Sequence, residues 1–432
     1  MRSGACGSVT AMPRDHASAH EQVERALARL EDRESELHAF AHVDAEGARA
    51  QARDLDDAAA RDGGSRGPLG GMPIGVKDVI DTADQPTALG SPLFAGRAPQ
   101  RDAACVALLR RAGGVVLGKT VTAELAAFDP GPTRNPRDPA RTPGGSSSGS
   151  AAAVAAGIVP AALGTQTAGS VIRPAAFCGV VGCKPSFGLV PRSGVLSFAD
   201  SLDTVGVLAS RLDVAARVLA AIADRDDLLP GRWPEPPHRL RLGVCRTPDW
   251  AAVEPAARTA LERIADAAAS SGALVTDVEP GPAFADAAQA QRTLQLAEGS
   301  LALADERCRH PRWLSGTLRS LLDEGAATTP AERDAAHATA RRAARELDAA
   351  TAEIDVLLTP AASGEAPQGL GSTGDPLHNR RWTLLGVPAL SLPAGVGPAG
   401  MPLAVQLIGR RGEDAALLAA AADLLRRVEG GA

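Results

Sequence analysis

Two periodicities of apolar residues alternate along the chain. Apolar residues three and four positions apart predict amphipathic helices, for example at 45–60 and 255–270. Short continuous apolar runs between such segments, for example at 72–78 and 356–360, predict buried strands. Strands that alternate with helices are typical of an α/β protein. We therefore expect a mixed central β-sheet that is covered by helices on both faces.

Length and composition exclude several classes of protein. The 432 residues suffice for a large core, and the six cysteines are scattered without C-x-x-C pairs, which predicts reduced thiols in a cytoplasmic protein. The eight histidines show no metal-ligand spacing, so we expect neither a metal nor a cofactor. The most apolar run, 151–163, is too short to span a bilayer, and the first residues lack the apolar region of a signal peptide.

The overall charge leads to an expectation about partners. The net charge is −6 and the pI is near 5.8, whereas a nucleic-acid-binding protein usually carries a basic face. We therefore expect no nucleic-acid partner and no membrane partner. The expected ligand is a small molecule.

The usage of lysine is more informative. Of the 45 lysine and arginine residues, only Lys77, Lys119 and Lys184 are lysine and the other 42 are arginine. In a chain that uses arginine at nearly every position that needs a positive charge, the few remaining lysines are enriched at positions whose role arginine cannot perform. Arginine cannot lose its proton in a protein, whereas a desolvated lysine can and then acts as a general base. Lys77 ends a predicted buried strand and is therefore the candidate base.

Gly/Ser-rich turns flank an Ala-rich helical segment and a strand within residues 142–185. The first turn reads Pro-Gly-Gly-Ser-Ser-Ser-Gly-Ser at 143–150, and the second reads Thr-Ala-Gly-Ser at 167–170. Turns of this kind allow a backbone to approach a ligand closely and to present N–H groups to it. They are the candidate walls of a catalytic site.

Two other interpretations compete for the first turn. Gly145 to Gly149 matches the G-x-S-x-G nucleophile elbow with Ser147 at its centre, but that elbow follows a strand. Residues 137–144 contain two prolines, which a central strand does not tolerate. A flexible Gly/Ser linker also accounts for this run alone, although it does not account for Ser170, Lys77 and the apolar flanks.

These residues resemble the amidase signature family of serine hydrolases. The similarity lies in 143–149 and 165–185, in the lysine segment 71–78 and in the segment 197–206. It extends over about residues 20–428 as a whole. The combination is much more specific than any single motif.

The resemblance implies an organisation of the chain. It predicts a single amidase domain at 18–432, behind a disordered or vestigial start at 1–17. Within the domain, 69–206 is the expected catalytic core, and 222–355 is the expected variable region at the mouth of the substrate site.

Three catalytic roles follow from the resemblance, matched residue by residue. Ser170 corresponds to the nucleophile, Ser146 to the bridging serine and Lys77 to the base, and the 24 residues from Ser146 to Ser170 are the usual spacing. The family also has a cis peptide bond at the position of Gly145–Ser146. This assignment agrees with the chemistry, because a serine hydroxyl needs a neighbouring base to become a good nucleophile.

The second turn is the expected oxyanion site. The backbone N–H groups from Thr167 to Ser170, including those of Ala168 and Gly169, are candidates to bind the oxyanion, and Phe128 is a candidate apolar wall for the substrate. Three departures from the family pattern lie here. Gln166 stands in place of a carboxylate, Ala168 stands in place of a glycine, and Arg173 comes one position later than usual.

Three functions are compatible with these residues. The main hypothesis is a serine amidase that hydrolyses a small carboxamide to a carboxylate and ammonia or an amine, through an acyl-enzyme on Ser170. One alternative is the glutaminase subunit of a tRNA-dependent amidotransferase. Another is a non-catalytic binding protein on an amidase scaffold. Amide, ester, carbamate and urea-like substrates remain open, and the resemblance adds the expectation of a homodimer.

Overall fold

Eleven strands form one mixed sheet in the computed structural model, which describes residues 17–62 and 65–430. The predicted start at 1–17 lies outside these residues, apart from Ala17. The strands are β1 Phe40–Val43, β2 Pro73–Lys77, β3 Val115–Thr120, β4 Ala161–Gln166, β5 Val181–Lys184, β6 Thr204–Ala209, β7 Arg241–Val244, β8 Leu274–Asp277, β9 Val356–Pro360, β10 Ala389–Val396 and β11 Pro402–Ile408. Their spatial order is β1-β3-β2-β4-β6-β5-β10-β11-β9-β7-β8.

Helices cover both faces of this sheet, as the sequence pattern predicts. They are α1 Ala19–Leu37, α2 Ala45–Asp62, α3 Ala104–Arg111, α4 Ser148–Ala155, α5 Ile172–Cys178, α6 Leu212–Ala223, α7 Pro255–Ser270, α8 Pro282–Ala302, α9 Ala304–Arg309, α10 Gly316–Ala326, α11 Pro330–Ala350, α12 Arg380–Leu384 and α13 Asp414–Gly430. None of the described helices combines the length and the apolarity that crossing a bilayer requires.

The two faces explain why the strand segments read as continuous apolar runs. Val115 and Leu117 of β3 pack with α1, α2 and α4 on one face. Val116, between them, packs with α3, α6 and α13 on the other face. Successive side chains of a strand point to opposite faces, so a strand that is covered on both sides is apolar at every position.

The pairing of β2 with β4 places the candidate residues at one edge of the sheet. These strands run parallel, with Val76 opposite Leu163, so their carboxyl ends meet at the same edge. Lys77 is the last residue of β2, and Gln166 is the last residue of β4. The chain then turns through 167–171 into α5. Crevices outside the carboxyl ends of parallel strands are common ligand sites in α/β folds.

Candidate active site

Lys77 is fully buried beside Ser146. Its Nζ lies 2.8 Å from Ser146 Oγ and 2.7 Å from Thr165 Oγ1, and the side chain has no exposed surface. Burial lowers the pKa of Lys77 to about 7, and the negative charge of Asp203 opposes this shift. A substantial fraction of Lys77 is therefore neutral at neutral pH and able to accept a proton.

The other two lysines are also fully buried, but neither of them contacts Ser146 or Ser170. Lys119 donates to Thr87 Oγ1 at 2.5 Å and lies 3.4 Å from the carboxylate of Asp78. Lys184 donates to the carbonyls of Pro185 and Val387. All three surviving lysines thus occupy confined positions, where the larger planar guanidinium of arginine has a different shape and donor geometry.

Ser146 is held by backbone contacts on both sides of its peptide bond. The Gly145–Ser146 bond is cis, as the resemblance implies. The carbonyl of Gly145 accepts from Arg173 Nη2 at 2.6 Å, and the carbonyl of Ser146 accepts from the N–H of Ala123 at 3.1 Å. These contacts fix the direction in which Ser146 Oγ meets Lys77.

Ser147, the centre of the elbow-like motif, has a structural role. Its hydroxyl is fully buried and bonds the backbone of Thr165, accepting from the N–H and donating to the carbonyl at 3.3 Å each. The preceding residues form loop rather than strand. The structure therefore does not contain a nucleophile elbow at this position.

The loop of Thr167 to Ser170 has its carbonyl groups turned into the protein. The carbonyls of Thr167, Ala168 and Gly169 accept from Gln291 Nε2 at 2.8 Å, Thr383 Oγ1 at 2.7 Å and the N–H of Arg173 at 2.9 Å. In a trans peptide the carbonyl and the following N–H point in opposite directions. The N–H groups of residues 168–170 therefore face away from these partners, and none has an acceptor among the described residues.

Gln166, which stands where the commoner family pattern has a carboxylate, connects the oxyanion loop to the start of α5. Its Oε1 accepts from the N–H groups of Val171 and Ile172, at 2.9 and 3.0 Å. Its Nε2 donates to Thr383 Oγ1 at 3.0 Å, a bond that a carboxylate could not donate. Gln166 thus fixes the start of α5 and, through Thr383, the carbonyl of Ala168.

Three groups that support the loop were missed by sequence reasoning. Asp203 accepts from Thr167 Oγ1 at 2.5 Å and from two backbone N–H groups, and burial raises its pKa to about 6. Its only local signal is its place in the 197–206 segment. Gln291 and Thr383 lie 124 and 215 residues from their partners in the loop, so no local pattern marks them.

Ser170 lies between β4 and α5 with 9% of its surface exposed. In the described part of the chain no hydrogen bond to its hydroxyl is found. Both flanks of Ser170 contact the Ser146 segment, because Thr165 bonds Ser147 and Arg173 bonds Gly145. Phe128 is half-buried and packs against the main core, so its role as a substrate wall stays a prediction.

The comparison with known families identifies this architecture. A family model described as Amidase matches residues 21–418. The chain belongs to the amidase family. Its α/β fold is that of the amidase signature enzymes, as the sequence analysis predicts.

Several members of the amidase family are similar over nearly the whole chain. One subunit of the glutamyl-tRNA(Gln) amidotransferase of Anaeromyxobacter sp. (strain K) is 37% identical over 465 residues, which cover 95% of this chain and 93% of that protein. The corresponding subunit of Synechococcus sp. (strain CC9311) is 36% identical, with 96% of each chain covered.

Solved structures of the family are also similar. A peptide amidase from Stenotrophomonas maltophilia has a TM-score of 0.82 and 32% identity, and 96% of this chain and 94% of that one are covered. The glutamyl-tRNA(Gln) amidotransferase subunit of Thermotoga maritima has a TM-score of 0.76 and 27% identity, covering 93% and 90% of the two chains.

These relatives overturn the expectation about partners. The composition predicted no nucleic-acid partner, and the resemblance predicted a homodimer as the only protein assembly; this prediction about partners is wrong. The relatives from Anaeromyxobacter, Synechococcus and Thermotoga maritima are each one subunit of an amidotransferase for glutamyl-tRNA(Gln), which implies nucleic-acid and protein partners. The error has a physical reason: the net charge of one chain does not report the charge of the other subunits in a complex.

Proposed function

We propose that this chain is the glutaminase subunit of a tRNA-dependent amidotransferase. The observation that carries the proposal is the 37% identity to one subunit of a glutamyl-tRNA(Gln) amidotransferase over 95% of this chain. The reaction at this subunit is hydrolysis of the side-chain amide of glutamine. The ammonia released is then used by the partner subunits on the tRNA-bound glutamyl group.

The proposed mechanism starts with a proton relay. Neutral Lys77, 2.8 Å from Ser146 Oγ, accepts the proton of Ser146 while Ser146 accepts the proton of Ser170. The Ser170 oxygen attacks the amide carbonyl and forms a tetrahedral intermediate. The backbone N–H groups of residues 168–170 stabilise its oxyanion, a contribution typically worth about 3 kcal/mol for each donor.

The same groups complete the turnover. The relay returns a proton to the departing nitrogen, so that ammonia leaves and the acyl group stays on Ser170. Water then attacks the acyl-enzyme, with Lys77 and Ser146 removing its proton. Asp203 acts as a positioning residue, because it bonds the hydroxyl of Thr167 at 2.5 Å and does not touch the reacting atoms.

The test is ammonia release from glutamine by the full chain, alone and with the other subunits of a related amidotransferase and glutamyl-tRNA(Gln). We expect the rate to increase by an order of magnitude or more when the partners are added. The Ser170→Ala variant is the control, and it should release no ammonia while still co-purifying with the partners. The absence of glutamine hydrolysis in every mixture would contradict the proposal.

A second candidate function has its own support. The peptide amidase structure is more similar to this chain in fold than the Thermotoga maritima amidotransferase subunit, with TM-scores of 0.82 and 0.76. This favours hydrolysis of a small carboxamide by the chain itself. Turnover of a carboxamide panel that does not respond to added partner proteins would select this function over the first.

A further inference from the structure

Arg380, the first residue of α12, lies next to the loop of Ser170. Its positive charge has no carboxylate partner among the described residues. Its Nη1 donates to the neutral amide oxygens of Gln291 at 2.7 Å and Gln295 at 3.3 Å. No ion pair of Arg380 is found among the described residues. The side chain is only partly exposed, so bulk water does not fully compensate for the missing counter-charge.

Two contacts place Arg380 at the candidate active site. Gln291, which accepts from Arg380, also donates to the carbonyl of Thr167 at 2.8 Å. Asn379 precedes Arg380 and lies against Gly169, where an added Cβ would be 2.4 Å from Asn379 Oδ1. A single amide side chain therefore separates the guanidinium of Arg380 from the backbone beside the nucleophile.

The surroundings strengthen the positive potential. Arg173 is 4% exposed, and its Nε and Nη1 have no hydrogen-bond partner among the described residues. Burial lowers the pKa of Arg173 to about 9, and the charge of Arg380 contributes to this shift, while Asp375 opposes it. Asp375 itself is exposed. Asp375 thus acts on both arginines only through its charge, and it forms an ion pair with neither of them in the described part of the chain.

The neighbouring arginines show that this lack of pairing is local. Arg381, the next residue, forms an ion pair with Asp249 and donates to the carbonyl of Phe284. Arg292, next to Gln291 on α8, forms an ion pair with Glu324. These two arginines have carboxylate partners, whereas Nε and Nη2 of Arg380 have no hydrogen-bond partner among the described residues.

We propose that Arg380 is a specificity-determining residue that binds a carboxylate on the substrate while Ser170 attacks the amide of the same molecule. This inference rests on the proposed amide hydrolysis and defines its substrate class as an amide that carries an anionic group. A guanidinium recognises a carboxylate with two parallel N–H···O bonds, which fixes the position as well as the charge of the substrate.

The test compares two amides of equal length, glutaramate with its terminal carboxylate and pentanamide with a terminal methyl. The measured quantity is the ratio of their kcat/KM values. We expect Arg380→Gln to lower this ratio about 50-fold, mainly through the KM for glutaramate, as for the loss of a charged hydrogen bond. Arg380→Lys should restore part of the ratio. Arg292→Gln, the matched control, should keep the wild-type ratio.

Two results would overturn the inference. One is an equal loss of kcat/KM on both amides in Arg380→Gln, which leaves the ratio unchanged and indicates a packing role. The other is wild-type kcat/KM on both amides in Arg380→Gln. If the wild type hydrolyses neither amide, the glutamine assay with added partners decides the proposed function separately, and carboxylate binding is then tested by calorimetric titration with glutarate. Binding that is lost in Arg380→Gln and kept in Arg292→Gln supports the assignment of Arg380, whereas no binding to the wild type overturns it.

Discussion

If Lys77 is the general base, the reactivity of Ser170 must follow the deprotonation of Lys77. A lysine in water has a pKa near 10.5, and burial lowers that of Lys77 to about 7. At pH 7 about half of Lys77 is then neutral, compared with roughly 3 in 10,000 for an unperturbed lysine. Burial therefore increases the reactive form about 1,500-fold, which corresponds to roughly 4 kcal/mol.

The assay is covalent labelling of Ser170 by a fluorophosphonate, which needs no knowledge of the substrate. Intact mass gives the labelling rate between pH 5.5 and 10, and peptide mapping gives the site. We expect the rate to rise tenfold per pH unit below about 7 and to level off above about 8. Lys77→Ala should label about 10²- to 10⁴-fold more slowly and without this rise.

A second titrating group must be separated from Lys77. Burial raises the pKa of Asp203 to about 6, so its ionisation also falls near the expected rise. Because the negative charge of Asp203 raises the pKa of Lys77, Asp203→Asn should shift the rise to lower pH. If the labelling rate of Asp203→Asn no longer increases with pH, the increase in the wild type is caused by ionisation of Asp203 and not of Lys77.

Unfolding provides an independent measurement of the same shift. Between pH 7 and 10.5 the unfolded chain holds a proton on Lys77 that the folded chain does not hold, so the contribution of Lys77 to stability increases as pH rises. Relative to Lys77→Met, the free energy of unfolding should increase by about 2 kcal/mol between pH 7 and 9. A rise in labelling only above pH 9, with no such gain in stability, would refute the role of Lys77 as a neutral base.

Substitutions at three further positions test the parts of the site. Ser146→Ala should slow labelling about 10²-fold or more, because it removes the link from the base to the nucleophile. Gly169→Ala should lower kcat about 100-fold, because the new Cβ would meet side-chain atoms at 2.4 and 2.9 Å and displace the oxyanion loop. Gln166→Ala should lower kcat about 10- to 100-fold by releasing the start of α5, and Gln166→Glu should recover part of the loss. Each is measured by labelling or turnover and by thermal unfolding.

Matched controls accompany these variants. Ser148→Ala changes a buried serine two positions from Ser146 and should label at the wild-type rate. Gly371→Ala adds a Cβ where no atom lies within 4 Å and should keep full activity. Wild-type labelling in Ser146→Ala, or full turnover in folded Gly169→Ala, would contradict the assigned geometry.

Much of the fold was predictable because its signals are local. The capping box at Ser18 and Glu21 begins α1, and Pro255–Ser270 is α7 with the predicted bounds. Both depend on residues within a few turns of each other. Lys77 also stood out locally, because a lysine at the end of an apolar run is rare in a chain that otherwise uses arginine.

The support of the oxyanion loop was decided by the tertiary structure. The sequence could show that Gln166 and Arg173 depart from the family pattern, but not that Gln166 would bond two N–H groups of α5 and Thr383 at once. Gln291 and Thr383 reach the loop from 124 and 215 residues away. The periodicity of apolar residues depends on neighbours in the sequence. The hydrogen-bond partner of a buried carbonyl depends instead on which distant elements pack together, so only the folded chain determines that partner.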